Sequence, residues 1–203
     1  MKQYPSISNV TGYIGNPCIA FYKYDGSNLR FEWSKKSGWH KFGTRTRLFD
    51  KNDPEFGCAI DIFNETYAQS LNDLFKKEKL LRNAQSIIVY AEFFGPNSFA
   101  GQHQSQDTKE LMMFDVNVHK QGILGPKEFL DVFGHLKVAK TVYQGNLTSG
   151  FVNDVRSGAY PELREGVICK GGYGHKLWMC KIKTLSYLEE LQKRYADWHQ
   201  YWE

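Results

Sequence analysis

Apolar and polar positions alternate over several short runs of this chain and recur every three or four residues over others. Ile19 to Trp33 alternates and is rich in aromatics. That predicts a strand, a tight turn at Asp25-Gly26 and a second strand. Trp39 to Phe49 predicts a further strand with Gly43 inside it. Ile60, Phe63, Tyr67, Leu71, Leu74 and Phe75 recur at helical spacing and predict one amphipathic helix. Ser86 to Phe94 reads as a compact apolar strand ending at Gly95-Pro96. Leu111 to Val118 is apolar enough to be a strand buried on both faces. Pro126 to Phe133 predicts a short helix with proline near its start. A strand over Val138 to Gln144 and a short helix over Thr148 to Arg156 follow. Glu165 to Lys170 and Leu177 to Lys183 predict two strands around the turn Gly171-Gly172-Tyr173-Gly174. Leu188, Leu191, Tyr195 and Trp198 place a C-terminal helix over about Leu185 to Trp202. Strands outnumber helices and the two are intermixed, so the expected class is α+β, with antiparallel sheets flanked by helices. No linker or repeat interrupts the pattern, and residues 1–203 are expected to form one domain.

Composition adds limits rather than direction. The 203 residues are 41% hydrophobic and 15% aromatic, enough to bury a substantial core. A net charge of +4 permits a polyanionic partner without demanding one. Cys18, Cys58, Cys169 and Cys180 form no CxxC pair and no zinc-type cluster. They read as small buried or half-buried hydrophobes in a reducing compartment. No apolar run approaches the ~20 residues of a membrane span. The start of the chain has no signal-peptide pattern. The expectation is an intracellular protein without a membrane partner.

Four polar signals carry chemistry, and each has an ordinary structural reading. Lys23-Tyr24-Asp25-Gly26-Ser27-Asn28 puts a lysine at the end of a strand, just before what is otherwise a common hairpin turn. Glu92 interrupts the apolar run Val89-Tyr90-Ala91-Glu92-Phe93-Phe94-Gly95. A carboxylate there is costly unless it faces outward or meets a ligand, metal or cation. Glu165-Gly166-Val167-Ile168-Cys169-Lys170 is the third signal. The fourth is Lys181-Ile182-Lys183, two lysines on one strand face that read equally well as a solvated edge.

Their order and spacing together are distinctive. Lys-x-Asp-Gly, a glutamate strand, Glu-Gly-Val-Ile-x-Lys and Lys-x-Lys resemble the covalent nucleotidyltransferase superfamily of ATP-dependent ligases and capping enzymes, from Phe21 to Lys183. The resemblance implies a ligase-type adenylyltransferase fold in which Lys23 takes AMP as a phosphoramidate. It implies that Arg45, with Arg47 as fallback, contacts the ribose and later the polynucleotide. Glu92 matches the ribose-binding glutamate, and Phe114 the aromatic that stacks on adenine. Glu165 matches the carboxylate near the metal, and Lys181 and Lys183 the pair around the α-phosphate. Asp25, Asn28 and Lys170 complete the implied nucleotide-binding set. ATP and Mg²⁺ (or Mn²⁺) are the implied cofactors. Lysine is normally protonated at neutral pH. The expectation is therefore that Lys181, Lys183, a divalent ion and burial together depress the pKa of Lys23.

Ser27-Asn28 after the glycine resembles the second phage-type RNA ligase family. DNA ligases usually carry a charged residue and then arginine there. The expected activity is joining of RNA 3′-hydroxyl and 5′-phosphate ends, nicked duplexes included, and it fits a phage or repair setting. About 20 residues follow Lys183, too few for an OB-fold, so the expectation is a bare catalytic core that leans on a partner protein for nucleic-acid grip. The alternatives are a DNA ligase core, a non-catalytic nucleotide- or RNA-binding module, and an adenylyltransferase with another acceptor.

Overall fold

A computed structural model describes residues 3–96 and 106–198. In chain order the first strands are β1 (Pro17–Lys23), β2 (Ser27–Ser34), β3 (Gly38–Gly43) and β4 (Leu48–Phe49). Helices α1 (Gly57–Phe63) and α2 (Gln69–Lys77) follow, joined by one π turn over Asn64–Ala68. Next come β5 (Ser86–Phe94), β6 (Glu110–Val118), β7 (Gly122–Ile123), α3 (Pro126–Phe133), β8 (Thr141–Asn146) and α4 (Ser149–Ser157). The described chain closes with β9 (Gly166–Gly171), β10 (Trp178–Lys183) and α5 (Leu185–Arg194). The strands build two antiparallel sheets, a four-stranded one in the order β10-β9-β1-β8 and a six-stranded one in the order β4-β3-β2-β5-β6-β7. The α+β class is as expected.

The turn at Asp25-Gly26 is not the tip of a hairpin. β1 pairs with β8 and β9, whereas β2 pairs with β3 and β5, so the chain changes sheets there. An exposed turn would leave Asp25 in water. Instead Asp25 is buried and accepts a hydrogen bond from the Tyr187 hydroxyl at 3.0 Å. Gly26 is needed for the crossing, because a Cβ there would lie 2.4 Å from the Phe93 carbonyl oxygen.

Most predicted elements are present, and the displaced ones have local causes. The strand expected over Trp39 to Phe49 breaks after Gly43. Thr44 Oγ1 accepts from the amides of Thr46 and Arg47, at 3.3 and 3.1 Å, and replaces ladder bonds with a side-chain turn. The long helix contains its π turn because Phe63, Tyr67, Leu71 and Phe75 are spaced by four. Steps of four overshoot the 3.6-residue turn, and a wider turn absorbs part of the drift. α3 has the predicted bounds, and α4 starts one residue later because Thr148 caps it by accepting from the Phe151 amide. β8 starts at Thr141, since Val138 bridges to Met113 and Ala139 donates to the Met113 carbonyl instead. The last helix ends at Arg194, where Tyr195 turns extended; the expected continuation to Trp202 runs beyond the described residues. Cys18, Cys169 and Cys180 are buried as expected. Cys58 is exposed, because it lies on α1 away from the buried Ala59, Ile60 and Phe63.

The main core lies on one face of the six-stranded sheet. Leu29, Phe31, Val89, Ala91, Leu111, Met113, Val116 and Val118 meet Ile60, Phe63, Tyr67, Leu71 and Phe75 of the long helix. A second core packs Ala20, Val167, Cys169 and Ile182 of the other sheet against Phe151, Val152 and Val155 of α4. On β6 the core residues change parity between Met113 and Val116. The cause is a bulge: Tyr90 pairs with Asp115 and Ala91 with Met113, which leaves Phe114 as the extra residue. Phe114 and Asp115 are thereby both turned off the core face. Phe31 and Phe63 stack at 4.0 Å between centroids, both fully buried, and tie sheet to helix. Phe63→Ala should therefore cost about 3–5 kcal/mol. Equilibrium urea unfolding measures it, and a loss below about 1 kcal/mol would show that this contact does not anchor the helix.

Candidate active site

The faces not used by these cores meet across a cavity of about 660 Å³. Strand alternation fixes what each wall presents. On the four-stranded sheet, one register row runs Lys23–Gly166–Lys183 and the next Phe21–Ile168–Lys181, with Ile19–Lys170–Met179 beyond. On the six-stranded sheet, Asn28 stands opposite Glu92, and the next row runs Gly43–Arg30–Tyr90–Asp115. Lys23, Asp25, Asn28, Arg45, Arg47, Glu92, Phe114, Glu165, Lys170, Lys181 and Lys183 all line this one cavity. Every site residue expected from the sequence is thus brought together, although the positions span 160 residues of chain from Lys23 to Lys183.

At one end the charges are dense. Lys23 Nζ lies 2.6 Å from Glu165 Oε1. Burial pulls the Lys23 pKa down, but Glu165, Glu92 and Asp25 outweigh it and hold the lysine above its ordinary value. This corrects the expectation of a depressed pKa: the nearest groups are carboxylates, and the lysine is stored as an ammonium in an ion pair. Burial raises the Glu165 carboxyl, with Lys23 and Lys183 opposing. It pushes Glu92 up to about 8 against the pull of Lys23. Lys183 is lowered to about 8, first by burial, with Lys23 and Lys181 adding to the fall against Glu165. Gly166 lets this cluster close, since a Cβ there would meet the Ile182 carbonyl oxygen at 2.0 Å.

The other end is flat and apolar. Phe114 of one sheet and Ile168 and Phe21 of the other line it. Behind this end sits a buried polar group absent from the sequence reading. Asp115 binds Lys170 Nζ at 2.8 Å and accepts the Tyr4 hydroxyl. Lys170 also donates to the Phe114 carbonyl at 2.8 Å. Lys170 therefore holds the bulge of β6 in place from the opposite sheet. Tyr4 packs edge-on to Phe114 and Tyr90, with centroids at 5.2 and 4.9 Å. Asp115 could have been found by the argument applied to Glu92, a lone carboxylate in an apolar strand. Tyr4 and Tyr187 carry no such signal, because nothing local tells where a tyrosine hydroxyl will land.

The two arginines separate. Arg47 is paired with Asp53, reaches Glu55 at 3.6 Å and lies over the Phe56 ring at 5.3 Å. Arg45 projects its field onto Glu92, opposing that carboxyl's rise. Among the described residues no group of three or more His, Cys, Asp or Glu side chains is arranged to hold a metal by itself. Glu165 is a single carboxylate donor in the cavity, of the kind Mg²⁺ or Mn²⁺ can use together with phosphate and water oxygens.

A family model described as RNA ligase matches residues 16–180. Solved structures resemble the fold. They include a Naegleria gruberi RNA ligase with PPi, at 16% identity and TM-score 0.67, covering 96% of this chain and 59% of that one. A mutant of the Naegleria gruberi enzyme with ATP and Mn matches at 14% identity and TM-score 0.64, covering 94% and 58%. An archaeal ATP-dependent RNA ligase matches at 16% identity and TM-score 0.60, covering 95% and 51%. The chain thus spans between half and three-fifths of these proteins' length. No curated protein matches it. Among the described residues no helix is long and apolar enough to cross a membrane.

The Glu92 carboxyl gives a pH signature independent of activity. Its folded pKa, about 8, lies above the ordinary 4.5, so the folded state binds this proton more tightly. Its contribution to stability is present below the unfolded pKa and is lost as pH rises through that window. Glu92→Gln should remove the loss. Its melting temperature should gain on wild type progressively from about pH 5 to pH 8, as read by calorimetry. A gap that does not change with pH would contradict the buried, proton-binding carboxyl described above.

Proposed function

The chain belongs to the RNA ligase family, and from that premise we propose that it uses ATP to join RNA 3′-hydroxyl and 5′-phosphate ends through AMP carried on Lys23. The observation that carries the reading is the row Lys23–Gly166–Lys183, with Glu165 on the lysine and Lys181 one row away. In this reading residues 1–203 form one nucleotidyltransferase domain.

In the first step Lys23 Nζ attacks the α-phosphorus of ATP. A P–N bond forms, the P–O bond to the β-phosphate breaks, and pyrophosphate leaves. Lys181 and Lys183 stand where charge builds on the α-phosphate and stabilise it. The lysine must lose a proton, and Glu165 Oε1, at 2.6 Å, is its acceptor in the ion pair. A cation on Glu165 would break that pair and let the lysine's proton leave to solvent. Glu165 would also hold Mg²⁺ or Mn²⁺, which supplies Lewis-acid neutralisation of the leaving pyrophosphate. Phe114 and Ile168 sandwich the adenine, and Glu92 with Asn28 binds the ribose. Lys170 supports the Phe114 platform rather than meeting phosphate. Arg45, rather than Arg47, reaches toward the ribose and later the RNA. The AMP then passes to an RNA 5′-phosphate, and a 3′-hydroxyl displaces it to leave a phosphodiester.

Ser27-Asn28 and the family support RNA over DNA as acceptor. The modest charge of +4 supports weak, salt-sensitive grip, and a partner chain would strengthen it.

Incubation with α-labelled ATP and Mg²⁺ should place one acid-labile AMP on the protein, faster as pH rises, because the raised Lys23 pKa keeps the nucleophile protonated at neutrality. Lys23→Ala should abolish labelling. Glu165→Ala and Lys183→Ala should each cut it by ~10²-fold. Label on the Lys23→Ala protein would sink the assignment.

Joining assays on nicks at low salt test the acceptor. A nick whose 3′-hydroxyl strand ends in ribose should seal at least ~10-fold faster than an all-DNA nick, the factor that about 1.4 kcal/mol of preference would give. Equal sealing of DNA would transfer the reading to a DNA ligase.

A further inference from the structure

Among the described residues Arg30 is the largest buried polar side chain, only 2% exposed, and it lies behind the cavity rather than in its lining. A guanidinium buried in a sheet is costly and persists where its geometry is used. Here the geometry is specific. Nε donates to Glu32 Oε1 at 3.0 Å, two positions along the same strand face. Nη1 donates to the backbone carbonyl of Thr44. Thr44 begins the four-residue turn 44–47, every member of which lines the cavity. Gly43, opposite Arg30 in register, leaves room for the fork, because a Cβ there would lie 2.7 Å from Nη2.

The turn is held at both ends. Arg30 grips it at Thr44, and Asp53 and Glu55 hold it at Arg47. Its interior is tied by the Thr44 amide to the Arg47 carbonyl at 2.8 Å and by the bonds to Thr44 Oγ1. Arg45 is the residue suspended between these anchors. An exposed arginine on an unsupported turn would spread over many rotamers, and its use at a reacting phosphate or ribose would fall with that spread.

We propose that Arg30 is a positioning residue, which fixes the Thr44 carbonyl and thereby aims Arg45 into the cavity. This rests on the reading of Arg45 as a contact to nucleotide or RNA. Arg30 itself touches neither. A planar fork suits the task where an ammonium would not, since it can serve Glu32 and Thr44 at once.

The test is a double-mutant cycle together with amide exchange. Arg30→Met keeps the length of the side chain, and Glu32, 18% exposed, can then turn to water, so the fold should survive. Arg30→Met should lower AMP transfer to Lys23, or the later sealing step, by ~10-fold to ~10²-fold, as Arg45→Ala does. In the Arg45→Ala background Arg30→Met should add nothing, because the effect passes through Arg45. Arg30→Lys should fall between wild type and Arg30→Met. Independently of activity, the Thr46 and Arg47 amides should exchange at least ~10-fold faster in Arg30→Met, while β5 and β6 amides keep their protection. Additive losses in the cycle, or unchanged exchange in the turn, would overturn the proposal. If wild type takes no AMP, the ligase reading fails, and the exchange measurement still decides whether Arg30 anchors the turn. If Arg30→Met does not fold, the same measurements on Arg30→Lys decide.

Discussion

Between Lys23 and Ser27 the chain passes from one sheet to the other, against the carbonyl of Phe93, where a Cβ at position 26 would lie 2.4 Å from oxygen. That passage makes Lys23 the last residue of one wall and Asn28 an early residue of the other. The two walls then register independently. β1 brings Lys183 and Lys181 to Lys23 through β9 and β10, and β2 brings Asn28 and, through β5, Glu92 to the same cavity, with Arg30 behind it. A hairpin at this point would have put Lys23 and Asn28 on one surface with nothing between them. The buried hydrogen bond from Tyr187 to Asp25 holds the crossing from beneath. The first residues after Lys183 thereby serve the same turn as the motif 160 positions earlier.

The electrostatics follow from this enclosure. Three carboxylates and three lysines share one end of a partly dry cavity, and neither sign can be carried there without the other. Glu92 is pushed up to about 8 and Lys183 down to about 8, while Glu165 and Lys23 are both held above their ordinary values. The Lys23–Glu165 ion pair is a resting state: it protects the lysine and satisfies the glutamate. A nucleotide bringing phosphate charge competes for Lys181 and Lys183, and a cation competes for Glu165. In the proposed reaction, binding of both would separate the ion pair of Lys23 and Glu165.

Much of this was legible in the sequence because the motif residues stand at strand positions, and alternation carries them to one face. Lys181 and Lys183 illustrate it: their spacing alone predicts a shared face, and the structure puts both in the cavity. The hairpin reading of Asp25-Gly26 failed because turn residues specify a reversal and not the partner of the next strand. That choice is made by burial on β5 and β9, far along the chain. The expectation of a depressed Lys23 pKa failed for a related reason. The cations were visible as a motif, but the distance of Glu165 from the lysine is a tertiary quantity. Phe114 was found by resemblance. What orients it, a bulge that breaks strand alternation, is invisible to a pattern of period two. Arg30 was passed over because an arginine in an alternating strand normally points to water.

Several residues that break local rules stand around this one cavity. Gly166 at φ 145° and the bulge at Phe114 sit beside it, with the buried pair Lys170–Asp115 immediately behind. The buried Arg30 lies behind the other rim. Each would be more stable as something simpler. An unbulged β6 would keep its full ladder, and an apolar pair in place of Lys170 and Asp115 would avoid desolvating two charges. Yet each exception fixes a group that the sheets alone would misplace. Lys170 grips the carbonyl of Phe114 and so holds the backbone of the bulge. Arg30 does the same for the turn that carries Arg45. The two buried cations therefore play one part on opposite rims. Each pairs with one carboxylate and donates to one backbone carbonyl at the cavity wall. The half-buried Lys181 and the exposed Arg45 thereby remain in the lining of the cavity, on a frame pinned from behind.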